Sequence, residues 1–230
     1  MYIQQSNTVI SEVINVSFLW GVDSALSVNQ EILNCVTISY GKPLYWGRYL
    51  SRVEGAAEGL TRNEILFLHK NGIRVMPIYS NFRSAVGLRS GNITAQNAVA
   101  HARRLNIPEG KILFANIERF FQVDSAWIEG WFSTIRTSGY RCGYYHDPLI
   151  GEFNREFCEA VKNNEKIAIE SILWSAEPET GATKQQNAPR FGPKTVNCQS
   201  NTWGWQYGRD ATACPIDTNI INDKLYNFLY

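Results

Sequence analysis

Lys111-Ile-Leu-Phe-Ala115 is a short apolar run that passes directly into Asn116-Ile117-Glu118. An apolar run of this length ending in a carboxylate reads as a buried parallel strand that carries an acid to the open end of a sheet. Phe18-Leu-Trp-Gly-Val22 ends the same way at Asp23, and Asp217 follows Pro215-Ile216 near the other end of the chain. Three acids at strand ends, spread over the whole sequence, point to a closed barrel that gathers them at one mouth, the end where barrels of this kind place their chemistry.

The rest of the chain supports that geometry. Strand signals fall at 17–22, 44–49, 73–79, 111–117, 140–145, 166–174, 203–207 and, very short, 215–217. Helical patterns lie between them. Thr61-Arg-Asn-Glu64 reads as a capping box whose helix ends at Asn71-Gly72. Thr94 is expected to cap a helix running to Asn106, stopped by Pro108. Asp124 opens another that closes at Ser138-Gly139, and 151–164 and 222–229 supply two more. Residues 177–200, rich in Pro, Gly, Asn, Gln and Thr, read as a long loop or a frayed helix beside the mouth. The alternation predicts one α/β domain over 1–230, a (β/α)₈ barrel with irregular or weak last helices. A doubly wound open sheet is the rival, but Gly21-Val-Asp-Ser-Ala25 lacks the glycine-rich phosphate loop such a sheet places after its first strand.

Composition narrows the function. A net charge of +1 with scattered Lys and Arg argues against nucleic acid as a partner. No apolar segment is long enough to span a bilayer. Met1-Tyr-Ile-Gln-Gln-Ser-Asn-Thr8 has no basic stretch leading into a long apolar one, so the expectation is a chain that is cytoplasmic as made or exported by a non-standard route. The three His and five Cys share no metal-ligand spacing, so neither metal nor cofactor is expected. Cys35, Cys142 and Cys158 sit in apolar patterns and read as buried thiols. Cys198 and Cys214 flank the last strands and are the pair to watch in an oxidising compartment. A single copy is the expected state. Seven Trp and eleven Tyr are compatible with a carbohydrate cleft.

Paired carboxylates on one rim suit glycoside hydrolysis, which needs a protonated acid on the leaving oxygen and a second group facing an oxocarbenium-like charge. Glu118 is the candidate proton donor, because Phe114, Ile117, Phe120 and Phe121 make its surroundings apolar. Asp23 and Asp217 would be its ionised partners. The plainer readings are an ion pair of Glu118 with Arg48 or Arg119, and Asp23 as a helix cap. Glu177 and Glu179 follow Leu173-Trp174-Ser-Ala176, where either acid is a further candidate or simply part of a polar loop. His146-Asp147 follows the fifth strand, but neighbours on an extended chain point apart. Trp203, Trp205 and Tyr207 alternate on one strand, as core residues or as a sugar platform.

Trp20-Gly-Val-Asp-Ser24, Asn116-Ile-Glu118, Trp205-Gln-Tyr207 and Ile216-Asp217 resemble the landmark segments of glycoside hydrolase family 25 lysozymes, peptidoglycan N-acetylmuramidases on an irregular (β/α)₈ barrel. That pattern runs Gly-x-Asp-x-Ser, then Asp-x-Glu, then Trp-Gln-Tyr followed by an Asp. Trp46-Gly-Arg-Tyr-Leu50, Leu60-Thr61 and Gly72-Ile-Arg-Val-Met-Pro-Ile-Tyr79 resemble more closely the glycoside-hydrolase-like barrels of domain of unknown function 1906. The resemblance implies a cell-wall glycan as partner, Asp23 as the first-strand acid, Glu118 as proton donor, Asp217 as the late acid and Tyr145 as a cleft tyrosine. It departs at Asn116, which stands where the lysozymes carry the first Asp of Asp-x-Glu. An amide holds no charge there, but it can orient an acetamido group and leave a substrate-assisted route open.

Overall fold

The computed structural model describes residues 17–230. The segment Met1–Thr8 lies outside them. Eight strands close into a barrel in sequence order: β1 Phe18–Asp23, β2 Tyr45–Tyr49, β3 Arg74–Tyr79, β4 Ile112–Ile117, β5 Arg141–His146, β6 Ser171–Ser175, β7 Thr202–Gly208 and β8 Asp217–Asn222. Neighbours from β1 to β7 are parallel. β8 is antiparallel to both β7 and β1, with Asp23 paired to Asp217. That one reversal is why Asp217, at the start of β8, reaches the same mouth as Asp23 at the end of β1.

The helices are α1 Gln30–Ser39, α2 Arg62–Lys70, α3 Leu88–Arg104, α4 Ser125–Thr137, α5 Phe153–Asn163, α6 Lys166–Glu170 and α7 Asp223–Tyr226. Local chemistry sets their starts. Asn29, Thr61 and Asp124 each accept a first-turn amide at α1, α2 and α4. Thr94 is no cap: α3 begins six residues earlier, and the Thr94 hydroxyl donates to the Ser90 carbonyl within the helix. The run 166–174 divides into α6 and β6, and the last strand spans Asp217–Asn222 rather than 215–217. Between β6 and β7 the chain is irregular apart from a 3₁₀ turn at Gln185–Asn187, and no helix separates β7 from β8. The barrel is irregular where weak helices were expected.

Strand alternation divides the core into an inside and an outside. Tyr45, Met76, Ile78, Ile112, Phe114, Tyr145, Ile172 and Trp174 form one buried cluster in the lumen. Leu113, Ala115, Ile117, Tyr144 and Leu173 belong to a second, shared with α3, α4 and α5. Glycines make room for the large lumen side chains. A Cβ on Gly21 would lie 2.5 Å from the Tyr45 ring, and one on Gly47 would lie 2.6 Å from the Cβ of Asp23. Those contacts are closer than packed carbon atoms allow.

The cysteines correct the sequence reading. Cys35 bonds Cys214, joining α1 to the β7–β8 loop, and Cys158 bonds Cys198, joining α5 to the segment before β7. Cys198 and Cys214 therefore do not pair with each other, and Cys35 and Cys158 are not free thiols. Cys142 alone stays a buried thiol among the described cysteines, and burial pushes its pKa up to about 12.

Candidate active site

The period of two that sends Leu113, Ala115 and Ile117 outward turns Asn116 into the lumen and delivers Glu118 just past its end. The same rule applied to β1, β5, β7 and β8 turns Asp23, Tyr145, Gln206 and Asp217 inward. These side chains, with Tyr49, Ile78, Trp174 and Arg209, line one cavity of about 160 Å³ at the C-terminal mouth. Asp23 and Asp217 also line a second hollow of about 190 Å³, bounded by Ser24, Ala25, Leu26, Asp210, Pro215 and Ile216. The two carboxylates thus form a wall between adjoining spaces.

Gln206 organises that wall. Its amide nitrogen donates to Asp23 Oδ2 at 3.0 Å and to Asp217 Oδ2 at 3.2 Å. Its carbonyl accepts from the Tyr145 hydroxyl at 2.8 Å and from Arg209 Nε at 3.1 Å. All four hydrogen-bonding capacities of the side chain are used, which fixes its orientation. Asn219 donates to Asp23 Oδ2 at 2.6 Å and accepts from the Trp174 indole at 3.0 Å. The Asp210 backbone donates to Asp217 Oδ1 at 2.7 Å.

Burial raises the pKa of Asp23, against the opposing pull of the Asn219 and Gln206 hydrogen bonds. Burial first, and then the charge of Asp23, push Asp217 up to about 8. Two acids that share the Gln206 amide and repel each other this strongly titrate as a pair, so one keeps its proton to higher pH than the other. Asp23, with two amide donors on one oxygen, is the better seat for the charge, and Asp217 for the proton. Burial also holds the Tyr145 phenol well above its ordinary pKa, so it remains a donor.

Glu118 is half-buried, as Asp217 is, but its partner differs: its Oε1 accepts from Asn116 Nδ2 at 2.9 Å. The same nitrogen donates to Ser80 Oγ at 2.9 Å, and among the described residues the Asn116 carbonyl accepts nothing. Phe114 belongs to the lumen cluster and Phe120 is 76% exposed, so of the apolar collar read from the sequence only Ile117 and Phe121 share a crevice with Glu118. The carboxyls with raised pKa are instead Asp23, which is buried, and Asp217, which is half-buried beside it.

Neither plain alternative for the acids holds. Arg48 points outward from β2 and pairs with Glu64 at 2.6 Å, and α1 is capped by Asn29 rather than Asp23. Trp205 and Tyr207 face away from the cavity into the layer between sheet and helices, where the Trp205 indole donates to the Pro178 carbonyl and the Tyr207 hydroxyl accepts from the Trp20 indole. They serve as core, because alternation gives the inward position to Gln206. Glu177 also lies outside the cavity lining, its carboxylate turned to the Glu179 backbone at 3.1 Å. His146 is buried against Phe153 at 4.3 Å, and burial lowers its pKa to about 3, so it is not a base. Tyr49, Ile78, Trp174, Gln206 and Arg209 are the cavity residues the sequence reading missed. The signal for Gln206 was present: a residue between two core aromatics on a strand faces the other way. Among the described residues no His, Cys, Asp and Glu cluster of metal-ligand geometry occurs.

Comparison with known proteins agrees with this architecture. The family model described as "Rv2525c-like, glycoside hydrolase-like domain" matches residues 42–221. No curated protein matches the chain. Among solved structures, an uncharacterized B. stearothermophilus protein is 51% identical, with a TM-score of 0.91 over 92% of this chain and 100% of that one. A family 25 glycosyl hydrolase from Bacillus anthracis is similar in fold at 11% identity, with a TM-score of 0.54 over 97% of this chain and 98% of that one. The modular autolysin LytC from Streptococcus pneumoniae, in complex with a synthetic peptidoglycan ligand, shares the fold at 13% identity and a TM-score of 0.55, over 88% of this chain and 46% of that one.

Proposed function

The chain belongs to the Rv2525c-like, glycoside hydrolase-like domain family, and from that premise we propose that it is a glycosidase acting on a cell-wall glycan such as peptidoglycan, with Glu118 as proton donor. The observation that carries this reading is the convergence of Glu118, Asn116, Asp23 and Asp217 on one small polar cavity at the barrel mouth. The peptidoglycan ligand held by the structurally similar pneumococcal autolysin supports the choice of substrate.

The chemistry follows from the hydrogen bonds. Asn116 ties down Glu118 Oε1, which leaves Oε2 to carry a proton to the glycosidic oxygen as the bond to the anomeric carbon breaks. The unused Asn116 carbonyl is a ready acceptor for the N–H of a 2-acetamido group. With that group held, its carbonyl oxygen attacks the anomeric carbon as the leaving group departs. Water then opens the resulting ring, returning its proton to Glu118. The single negative charge shared by Asp23 and Asp217 faces the positive charge that develops on the sugar. Two disulfides and a cell-wall substrate fit work in an oxidising compartment outside the cytoplasm. Among the described residues no helix is long and apolar enough to cross a membrane.

Glu118→Gln tests the role. Release of reducing ends from purified cell walls is expected to fall by about 10²–10⁴-fold while the thermal melt is unchanged. Equal turnover would remove Glu118 from the mechanism. The second reading, a barrel that binds glycan without cleaving it, draws on one observation: Asn116 is uncharged where the lysozyme pattern has Asp. It predicts saccharide binding without turnover, and cleavage that appears in Asn116→Asp.

A further inference from the structure

Arg209 is the one cation among the described residues that line the cavity, and the far end of its side chain is nearly idle. It stands just after β7, with its side chain 23% exposed. Nε is committed to Gln206 at 3.1 Å. The two terminal nitrogens are not comparably engaged: Nη2 lies 3.5 Å from the Tyr145 hydroxyl and Nη1 lies 3.6 Å from Glu179 Oε2. A charge-assisted contact between guanidinium and carboxylate closes to about 2.7–2.9 Å, so neither partner fills the fork. Gln206 needs only Nε, and the rest of the guanidinium is surplus to that task. Glu179 is 39% exposed and sits on a loop, and its approach shows that a carboxylate can reach this fork from outside the barrel.

We propose that Arg209 binds a carboxylate carried by the sugar, so that the preferred substrate is an anionic glycan and Glu179 is a weak stand-in for that carboxylate. This rests on the glycan reading above and gives it a substrate class. A planar fork with two open donors matches a carboxylate bidentately, which a neutral sugar hydroxyl cannot do. Two sources carry this chemistry: the lactyl carboxylate of a muramyl residue that has lost its peptide, and the carboxylate of a uronic acid. In peptide-substituted strands the lactyl group is an amide and offers no charge.

The experiment measures binding by calorimetry on the full chain carrying Glu118→Gln, which prevents turnover. Three N-acetylated tetrasaccharides serve as probes: a peptide-free muramyl strand, its carboxyl-reduced counterpart, and a uronate-containing strand. At least one carboxylated probe is expected to bind about tenfold or more tightly than the reduced one. The tighter of the two identifies the source. Adding Arg209→Gln should bring the ratio to about one, and Arg209→Lys should restore only part of it. Adding Glu179→Gln, which leaves the Gln206 contacts in place, should strengthen binding of the carboxylated probe and leave the reduced one unchanged. A loss of affinity in Arg209→Gln that is equal for charged and reduced probes means a merely structural role and overturns the proposal. Equal binding of all probes by the parent protein overturns it while leaving the glycan reading intact. Failure of every probe to bind overturns both.

Discussion

Glu64 and Asp23 are equally buried, each 5% exposed, yet their surroundings follow opposite plans. Glu64 lies between β2 and α2, where its Oε1 accepts from Arg48 Nε at 2.6 Å and from the Val28 amide at 2.9 Å. The Arg48 guanidinium also donates to the Ser24, Ala25 and Glu58 carbonyls. That region neutralises its acid with a fixed cation and locks the β1–α1 loop against the barrel. The mouth holds Asp23 and Asp217 with amide donors instead, and keeps its cation, Arg209, hydrogen-bonded to Gln206 rather than to either acid. Amides orient a carboxylate without cancelling its charge, so the proton there remains exchangeable. A buried ion pair marks scaffold, and acids hydrogen-bonded to amides rather than to a cation mark chemistry.

The largest stability effect should come from breaking the first plan. Glu64→Gln leaves Arg48 buried without its counter-charge and is expected to destabilise the fold by about 3–5 kcal/mol, read from urea denaturation. A loss below ~1 kcal/mol would mean that the carbonyls alone satisfy Arg48. Asp217→Asn probes the second plan and should act mainly through pH. In the unfolded chain Asp217 ionises above its ordinary value of 3.8, while in the folded chain it keeps its proton up to about 8. The folded state therefore binds more protons across that interval, and stability should fall as pH rises from about 4 to about 8, then level off. Asp23, shifted in the same direction by burial, adds to the trend. Asp217→Asn should flatten this decline, measured as denaturation midpoints at pH 5 and pH 8. A wild-type profile that rises across the interval would show the wall to be fully ionised.

Much of this was legible in the residues. β1 to β5 announce themselves as apolar runs, and their alternation alone points Asp23, Asn116 and Tyr145 inward. β8 was hidden because four of the six residues of Asp217-Thr-Asn-Ile-Ile-Asn222 are polar. Its Asn219 faces the lumen to serve Asp23, and its Asn222 caps α7 by accepting the Leu225 amide at 2.9 Å. The disulfides were illegible, since Cys35 and Cys214 are 179 residues apart and only the closed barrel brings them together. The raised pKa of Asp217 was illegible for the same reason. Its neighbours in space, Asp23, Gln206 and Arg209, arrive from other parts of the chain, whereas Phe114 and Phe120, beside Glu118 in sequence, turn elsewhere.

The reversed eighth strand has a consequence for how the protein is made. β1 finds one of its two hydrogen-bonding partners only in residues 217–222, so its outer edge stays unpaired while nearly the whole remaining chain emerges from the ribosome. At about 5–20 residues per second, that edge is open for some tens of seconds. The barrel therefore cannot close until residues 217–222 are available to pair with β1.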